Sequence, residues 1–147
     1  MDDDLNSLSQ SVARLEAERD IAALLARYAH CIDYGHGIEW VECFTPDGRF
    51  EVRRPAGDDT VRVGAEELTA FARGRQPSSV PSKHFTSQLM IEVDGDTATA
   101  CTYFALLKDV ESDPSLDFYG RYLDDLVRGP DSRWRIARRV TEGESRR

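Results

Sequence analysis

The order of periodicities along this chain predicts an α+β fold, with helices first and a strongly curved, mostly antiparallel sheet after them. Three observations predict it. Apolar residues recur at three- and four-residue intervals from Ser9 to Asp33, the stripe of an amphipathic helix. From Lys83 onward the period falls to two. Within that second half, Asp94-Gly95 sits between two alternating apolar runs, a strong short-range hairpin signal.

The elements follow in order. The first helix carries Val12, Leu15, Ile21, Ala22, Leu25, Tyr28, Ala29 and Ile32 on its stripe, and Gly35 and Gly37 end it. Ile38 to Phe44 offers a second, short helix, and Thr45-Pro46-Asp47-Gly48 has the chemistry of a reversing turn. Arg49 to Arg54 and Thr60 to Val63 flank Gly57-Asp58-Asp59 and pair as a hairpin. Ala65 to Arg73 reads as a helix with Leu68 and Phe71 inward, and Gly74 to Ser82, rich in Ser and Pro, as a surface loop and the candidate lid. Phe85–Val93, Thr97–Val110, Leu116–Arg128 and Trp134–Thr141 complete an antiparallel meander. Residues 1–147 read as one domain, with 1–8 and 142–147 frayed.

Composition narrows the function. A length of 147 residues suits one domain burying about two-thirds of its unfolded surface. Nineteen basic against 27 acidic residues, net −8, give no electrostatic footprint for nucleic acid or anionic lipid. No basic, apolar leader opens the chain and no run of about 18 apolar residues occurs, so a cytoplasmic protein without a membrane partner is expected. Cys31, Cys43 and Cys101 are odd in number, scattered and set among apolar residues, which provides neither a disulfide framework nor a metal motif. No glycine-rich phosphate loop, H-E-x-x-H or nucleophile elbow is present, which points to chemistry without cofactor or metal.

Acid–base chemistry then rests on a few side chains. His30 lies on a helix flank and His36 in a glycine-rich turn, both ordinary surface placements, whereas His84 opens the first meander strand, where a strand face could aim it inward. Asp33 ends a long apolar stripe at the negative pole of its helix, a position that carboxylates avoid. Two readings of Asp33 stand. It caps the Gly35-His36-Gly37 turn, or it meets a buried donor; if that donor is His84, the pair is a general base with a fixed imidazole tautomer. Tyr28, Tyr34, Tyr103, Tyr119 and Tyr122 could supply a hydroxyl to a developing oxyanion, with Tyr103 and Tyr119 the preferred pair, although most strand tyrosines are packing residues.

The order of these features resembles the SnoaL-like branch of the nuclear-transport-factor-2-like superfamily. The matching stretches are Ile21 to Tyr28, Cys31-Ile32-Asp33, Cys43 to Gly48, Lys83 to Ser87, Val93 to Ala98 and Tyr122 to Trp134. The resemblance implies a cone-shaped α+β barrel around one apolar pocket. It is similar to scytalone dehydratase and the hexachlorocyclohexane dehydrochlorinase, lyases in which an Asp–His pair removes a proton, and it implies that role for Asp33 and His84. Where the dehydratase has a tyrosine before its Asp, this chain has Ile32; its second histidine falls near Lys108, and its strand serine and asparagine near Arg121 and Leu123. The dehydratase's own substrate is therefore not implied, and Arg121 becomes a candidate contact for a leaving group or carboxylate.

The expected function is thus a cofactor-independent lyase or isomerase acting on a small hydrophobic ring compound, through Asp33 and His84, with Tyr28, Tyr103, Tyr119 and Arg121 binding substrate. Steroid-isomerase-like and polyketide-cyclase-like chemistry are the related alternatives, and a non-catalytic binding or oligomerisation module the unrelated one. A homo-oligomer, dimer or trimer, is expected, with Met90 to Val93 and Tyr103 to Leu107 supplying its surface.

Overall fold

The computed structural model describes residues 1–75 and 82–144. Helix α1 (Asp2–Asp33) and the short α2 (Gly37–Val41) precede strand β1 (Phe44–Arg53), then β2 (Thr60–Val63), α3 (Gly64–Arg73), β3 (Ser82–Asp94), β4 (Thr97–Lys108), β5 (Ser115–Arg128) and β6 (Trp134–Gly143). The six strands form one sheet in the order β2-β1-β6-β5-β4-β3. All its pairings are antiparallel except β1 with β6, so the last strand returns to the centre beside the first long one. The α+β class expected from the periodicities is the architecture found.

Several boundaries differ for physical reasons. Residues 2–8, expected to fray, are helical, so α1 starts seven residues before Ser9. Val12 and Leu15, expected to face the core, are exposed together with Leu5 and Leu8. Burial begins at Ala17 and continues through Ile21, Leu25, Tyr28 and Ile32, a spacing of three and four. Thr45 to Gly48 is not a free turn. It lies within β1, where the register with β6 shifts between Phe44 and Arg49, so the Pro and Gly mark an irregularity in a strand. β4 stops at Lys108 and β6 runs two residues past Thr141. Residues 76–81 of the expected lid and residues 145–147 lie outside the described residues.

The core is aromatic at the end where the helices meet the sheet. Trp40 is fully buried, and its ring lies 5.0 to 5.7 Å from those of Tyr28, Phe44, Phe50 and Phe71. Such tilted and edge-on contacts add about 0.5–1.5 kcal/mol each beyond the area they bury. β5 and β6 approach closely at one end of their pairing. There Gly120 faces Gly143; a Cβ on the first would overlap the Glu142 carbonyl, and one on the second the Phe118 ring.

Two bulges decide which side chains face the core. In β3 the register shifts between Ser87 and Met90, with Gln88 at φ 54°, so His84 and Thr86 share a face with Ile91 and Val93 rather than with Met90. In β6 the extra residue is Ala137, since Asp125 pairs with Arg138 but Leu126 with Ile136. Arg139 thereby turns inward with Ile136, and Arg138 turns out toward Glu51.

Glu51 is a buried carboxylate on β1 held by three guanidiniums, accepting from Arg138 at 2.7 Å, Arg49 at 2.6 Å and Arg53 at 3.0 Å. The bond from Arg138 above all, against the cost of burial, lowers its pKa from 4.5 to about 2. A lowered folded-state pKa stabilises the fold above the unfolded value and loses that contribution as pH falls from about 4.5 to about 2. Glu51→Gln is expected to lower stability at pH 7 by about 1–2 kcal/mol and to flatten the acid limb of the stability curve; urea titrations from pH 7 to pH 3 measure both. An unchanged acid limb would show that the cluster contributes nothing.

Candidate active site

The last turn of α1 delivers Asp33 to the first residues of β3. Its carboxylate makes two bonds to one residue. Oδ2 accepts from the His84 backbone N–H at 2.9 Å, and Oδ1 lies 2.6 Å from the ring Nδ1. The side chains are 5% and 10% exposed. Both oxygens are therefore spent on His84, which explains a carboxylate at a helix C-terminus: the donors across the gap outweigh the unfavourable dipole. The alternative reading of Asp33, as a cap on the following turn, is not the geometry found. That turn is closed by backbone, His36 N–H donating to Cys31 O, with Gly35 at φ 76°.

A carboxylate at Nδ1 places the ring proton there and leaves Nε2 as an acceptor. His84 lines a cavity of about 270 Å³, close to the lower edge of the ~300–1,000 Å³ usual for small-molecule sites. Its wall includes Tyr28, Ile32, Phe50, Val52, Phe71, Phe104, Leu106, Phe118 and Tyr122, with Thr60, Thr141, Asp117 and three arginines among the polar members. Thr141 has a buried hydroxyl without a hydrogen-bond partner among the described residues.

Beneath this cavity lies an ion pair. Arg139 and Asp124, opposite each other on β6 and β5, make two bonds of 2.7 Å with side chains 1% and 0% exposed. The guanidinium lies against both Tyr28, at 4.0 Å, and Tyr122, at 4.1 Å, whose rings meet edge-on with their centroids 6.1 Å apart. Burial works against the Arg139 charge, but Asp124 outweighs it and holds the pKa above the usual arginine value. Burial raises the Tyr28 hydroxyl, with Arg139 opposing, and raises Tyr122 further. Both tyrosines thus stay protonated donors at any working pH.

Of the expected site residues, the structure brings together Asp33, His84 and Tyr28, and it separates the rest. Tyr103 and Tyr119 are 57% and 41% exposed on the outer face of the sheet, where they and Arg121 line a shallow groove with Phe85. Strand alternation is the reason: Phe104 and Tyr122, stacked at 4.4 Å, hold the inward positions, and their neighbours Tyr103 and Arg121 point out. Arg121 is bonded to Glu142 there. His30 stacks on Tyr34, and His36 sits exposed before α2. The residues that sequence reasoning missed are Asp124, Arg139 and Thr141; Asp124 had a signal, falling in step with Tyr122 and Leu126.

The sequence model of the SnoaL-like domain matches residues 13–140. The chain belongs to this family. The fold is the nuclear-transport-factor-2-like one that the sequence resemblance implied. An uncharacterized protein of Mycobacterium tuberculosis is 31% identical over 132 residues, 88% of this chain and 87% of that protein. A Catenulispora acidiphila structure described as a complex with S-DNPA is 29% identical, with a TM-score of 0.70 over 89% of this chain and 94% of that one. A Novosphingobium aromaticivorans protein provisionally assigned as a scytalone dehydratase shares the fold at 20% identity, with a TM-score of 0.75 over 92% and 89% of the two chains. Among the described residues no cluster of His, Cys, Asp and Glu could hold a metal, and no helix is long and apolar enough to cross a membrane.

Proposed function

We propose that this SnoaL-like chain is a cofactor-independent lyase or isomerase in which Asp33 and His84 act as a general base on a small ring compound. One observation carries the proposal: an imidazole on the cavity wall has its Nδ1 engaged by a buried carboxylate at 2.6 Å, which leaves Nε2 for a ligand. In this reading Nε2 takes a proton from a carbon activated by a neighbouring carbonyl. The electron pair moves into the carbonyl as an enolate, or expels a leaving group from the adjacent carbon. The Asp33 carboxylate balances the imidazolium, which returns its proton to the product or to the leaving group. Tyr28, Tyr122, Thr60 and Thr141 carry the hydroxyls on the described wall able to donate to the enolate oxygen. That a 29% identical relative of the same fold was obtained in complex with S-DNPA supports ligand binding as the use of this fold.

The test pairs binding with conversion. Steroids, polyketide-like phenols, terpenoids and chlorinated rings are screened by thermal shift and by product formation against wild type, Asp33→Asn and His84→Ala. His84→Ala is expected to lower turnover by about 10²–10⁴-fold while a ligand still raises its melting midpoint. Undiminished turnover in His84→Ala overturns the proposal, and binding without conversion by wild type makes the pocket a non-catalytic binding module.

We also propose that the chain is a homo-oligomer, its second copy covering the outer sheet face. Exposed Phe85, Met90, Tyr103 and Tyr119 support this, bordered by charges of both signs in Arg121 and Glu142, so that a copy turned through a two-fold axis can match them. Sedimentation equilibrium should give a multimer for wild type and a monomer for Tyr103→Glu; a monomeric wild type contradicts the proposal.

A further inference from the structure

The cavity that holds His84 is walled by apolar and aromatic side chains, and three arginines also line it. Arg54, just past β1, Arg62 on β2 and Arg75, just past α3, all line it. Two of them share one phenyl ring: the Arg62 guanidinium carbon is 4.4 Å and that of Arg75 5.8 Å from the Phe71 centroid. The third lies 5.8 Å from the Phe118 centroid. A guanidinium resting on a ring leaves its N–H edge free for a planar acceptor.

Their charges are unanswered. Among the described residues none of the three guanidiniums has a carboxylate within 4.0 Å; Arg54 donates from its guanidinium to the Asp58 backbone carbonyl at 2.9 Å, while the Asp59 carboxylate is taken up by the Arg54 backbone N–H at 2.9 Å, and Arg62 donates to the Thr60 hydroxyl at 3.2 Å. The undescribed residues 76–81 and 145–147 include no Asp or Glu. Elsewhere on the sheet, Arg49, Arg53, Arg138 and Arg139 each reach a carboxylate within 3.0 Å. Acids are not scarce in a chain with 27 of them against 19 basic residues. The one acid on this wall, Asp117, lies 3.3 Å from Lys108. Three like charges gathered at a partly dry cavity in an acidic protein repel one another, and a bound anion would relieve that repulsion.

We propose that Arg54, Arg62 and Arg75 form an anion-binding side of the cavity, and that the ring compound held against His84 carries a carboxylate there. This rests on the reading of the cavity as the substrate site, and it names the substrate class: an aromatic or polycyclic acid, its apolar rings among Phe50, Phe71, Phe104 and Phe118. The same arrangement is a filter, since a neutral analogue leaves the guanidiniums uncompensated.

Isothermal titration with three probes of one ring system, 2-naphthoate, 2-naphthyl phosphate and 2-naphthamide, tests this without requiring turnover. Wild type is expected to bind naphthoate at least about tenfold more tightly than naphthamide, with the margin shrinking between 50 mM and 500 mM salt. Arg62→Gln and Arg75→Gln should each erode that margin and the triple Gln variant abolish it, with melting midpoints confirming that each variant is folded. His84→Ala should keep the margin, so loss of the general-base reading would leave this one standing. Equal affinity for naphthoate and naphthamide in wild type, a margin that survives in the triple variant, or binding of no probe at millimolar concentration overturns the proposal. Tighter binding of the phosphate than of the carboxylate overturns the assignment of a carboxylic acid.

Discussion

The two bonds from Asp33 to His84 join the longest helix to the sheet and orient the candidate base in one stroke. The bond to the backbone N–H anchors the start of β3 to the last turn of α1, and the bond to Nδ1 sets the ring within the wall of the cavity. A histidine held by its ring alone would keep rotameric freedom; one held also at its own amide has little left. The constraint is local, yet it depends on everything that brings residue 33 to residue 84: the helix stripe from Ala17 to Ile32, the turn at Gly35, and the bulge at Gln88 that keeps both halves of β3 useful to the core.

Arg139 and Asp124 are a different kind of constraint. Burying an ion pair this deeply is costly in desolvation, and an apolar pair of similar volume is often as stable or more so. What the pair gives this fold is placement. Its guanidinium lies against the rings of both Tyr28 and Tyr122, which line the cavity and meet edge-on, and so helps to fix their planes. Loss of either partner would strand a charge, at a cost of about 3–5 kcal/mol. The cavity thus has a polar pair on β5 and β6, aromatic walls drawn from α1, α3 and the sheet, and three arginines from the segment between the end of β1 and the end of α3.

Much of this was legible in the sequence because period and turn chemistry carry it. The long helix, the Asp94-Gly95 hairpin and the meander follow from spacing alone, and Asp33 stood out because its charge conflicts with the dipole of its helix. What was not legible came from parity. A bulge at Ala137 turns Arg139 inward, and without it the same strand would have sent Arg138 to the core. The choice of Tyr103 and Tyr119 failed for a related reason: position on a long strand says nothing about face, and the inward register belongs to Phe104 and Tyr122. The helical start at Asp2 escaped because its apolar residues pack on nothing, so no burial pattern marks it.

A base that forms an enolate exchanges the proton on the carbon beside the carbonyl with solvent, even in a ketone that carries no leaving group. The most direct measurement is deuterium incorporation from D₂O into a ring ketone that the protein binds, followed by proton NMR at the carbon beside the carbonyl. The account predicts exchange at that single position, accelerated by wild type well above the buffer rate and returned to it by His84→Ala. A ketone that saturates the cavity and retains its proton at the buffer rate would contradict the claim that this Asp–His pair performs acid–base chemistry.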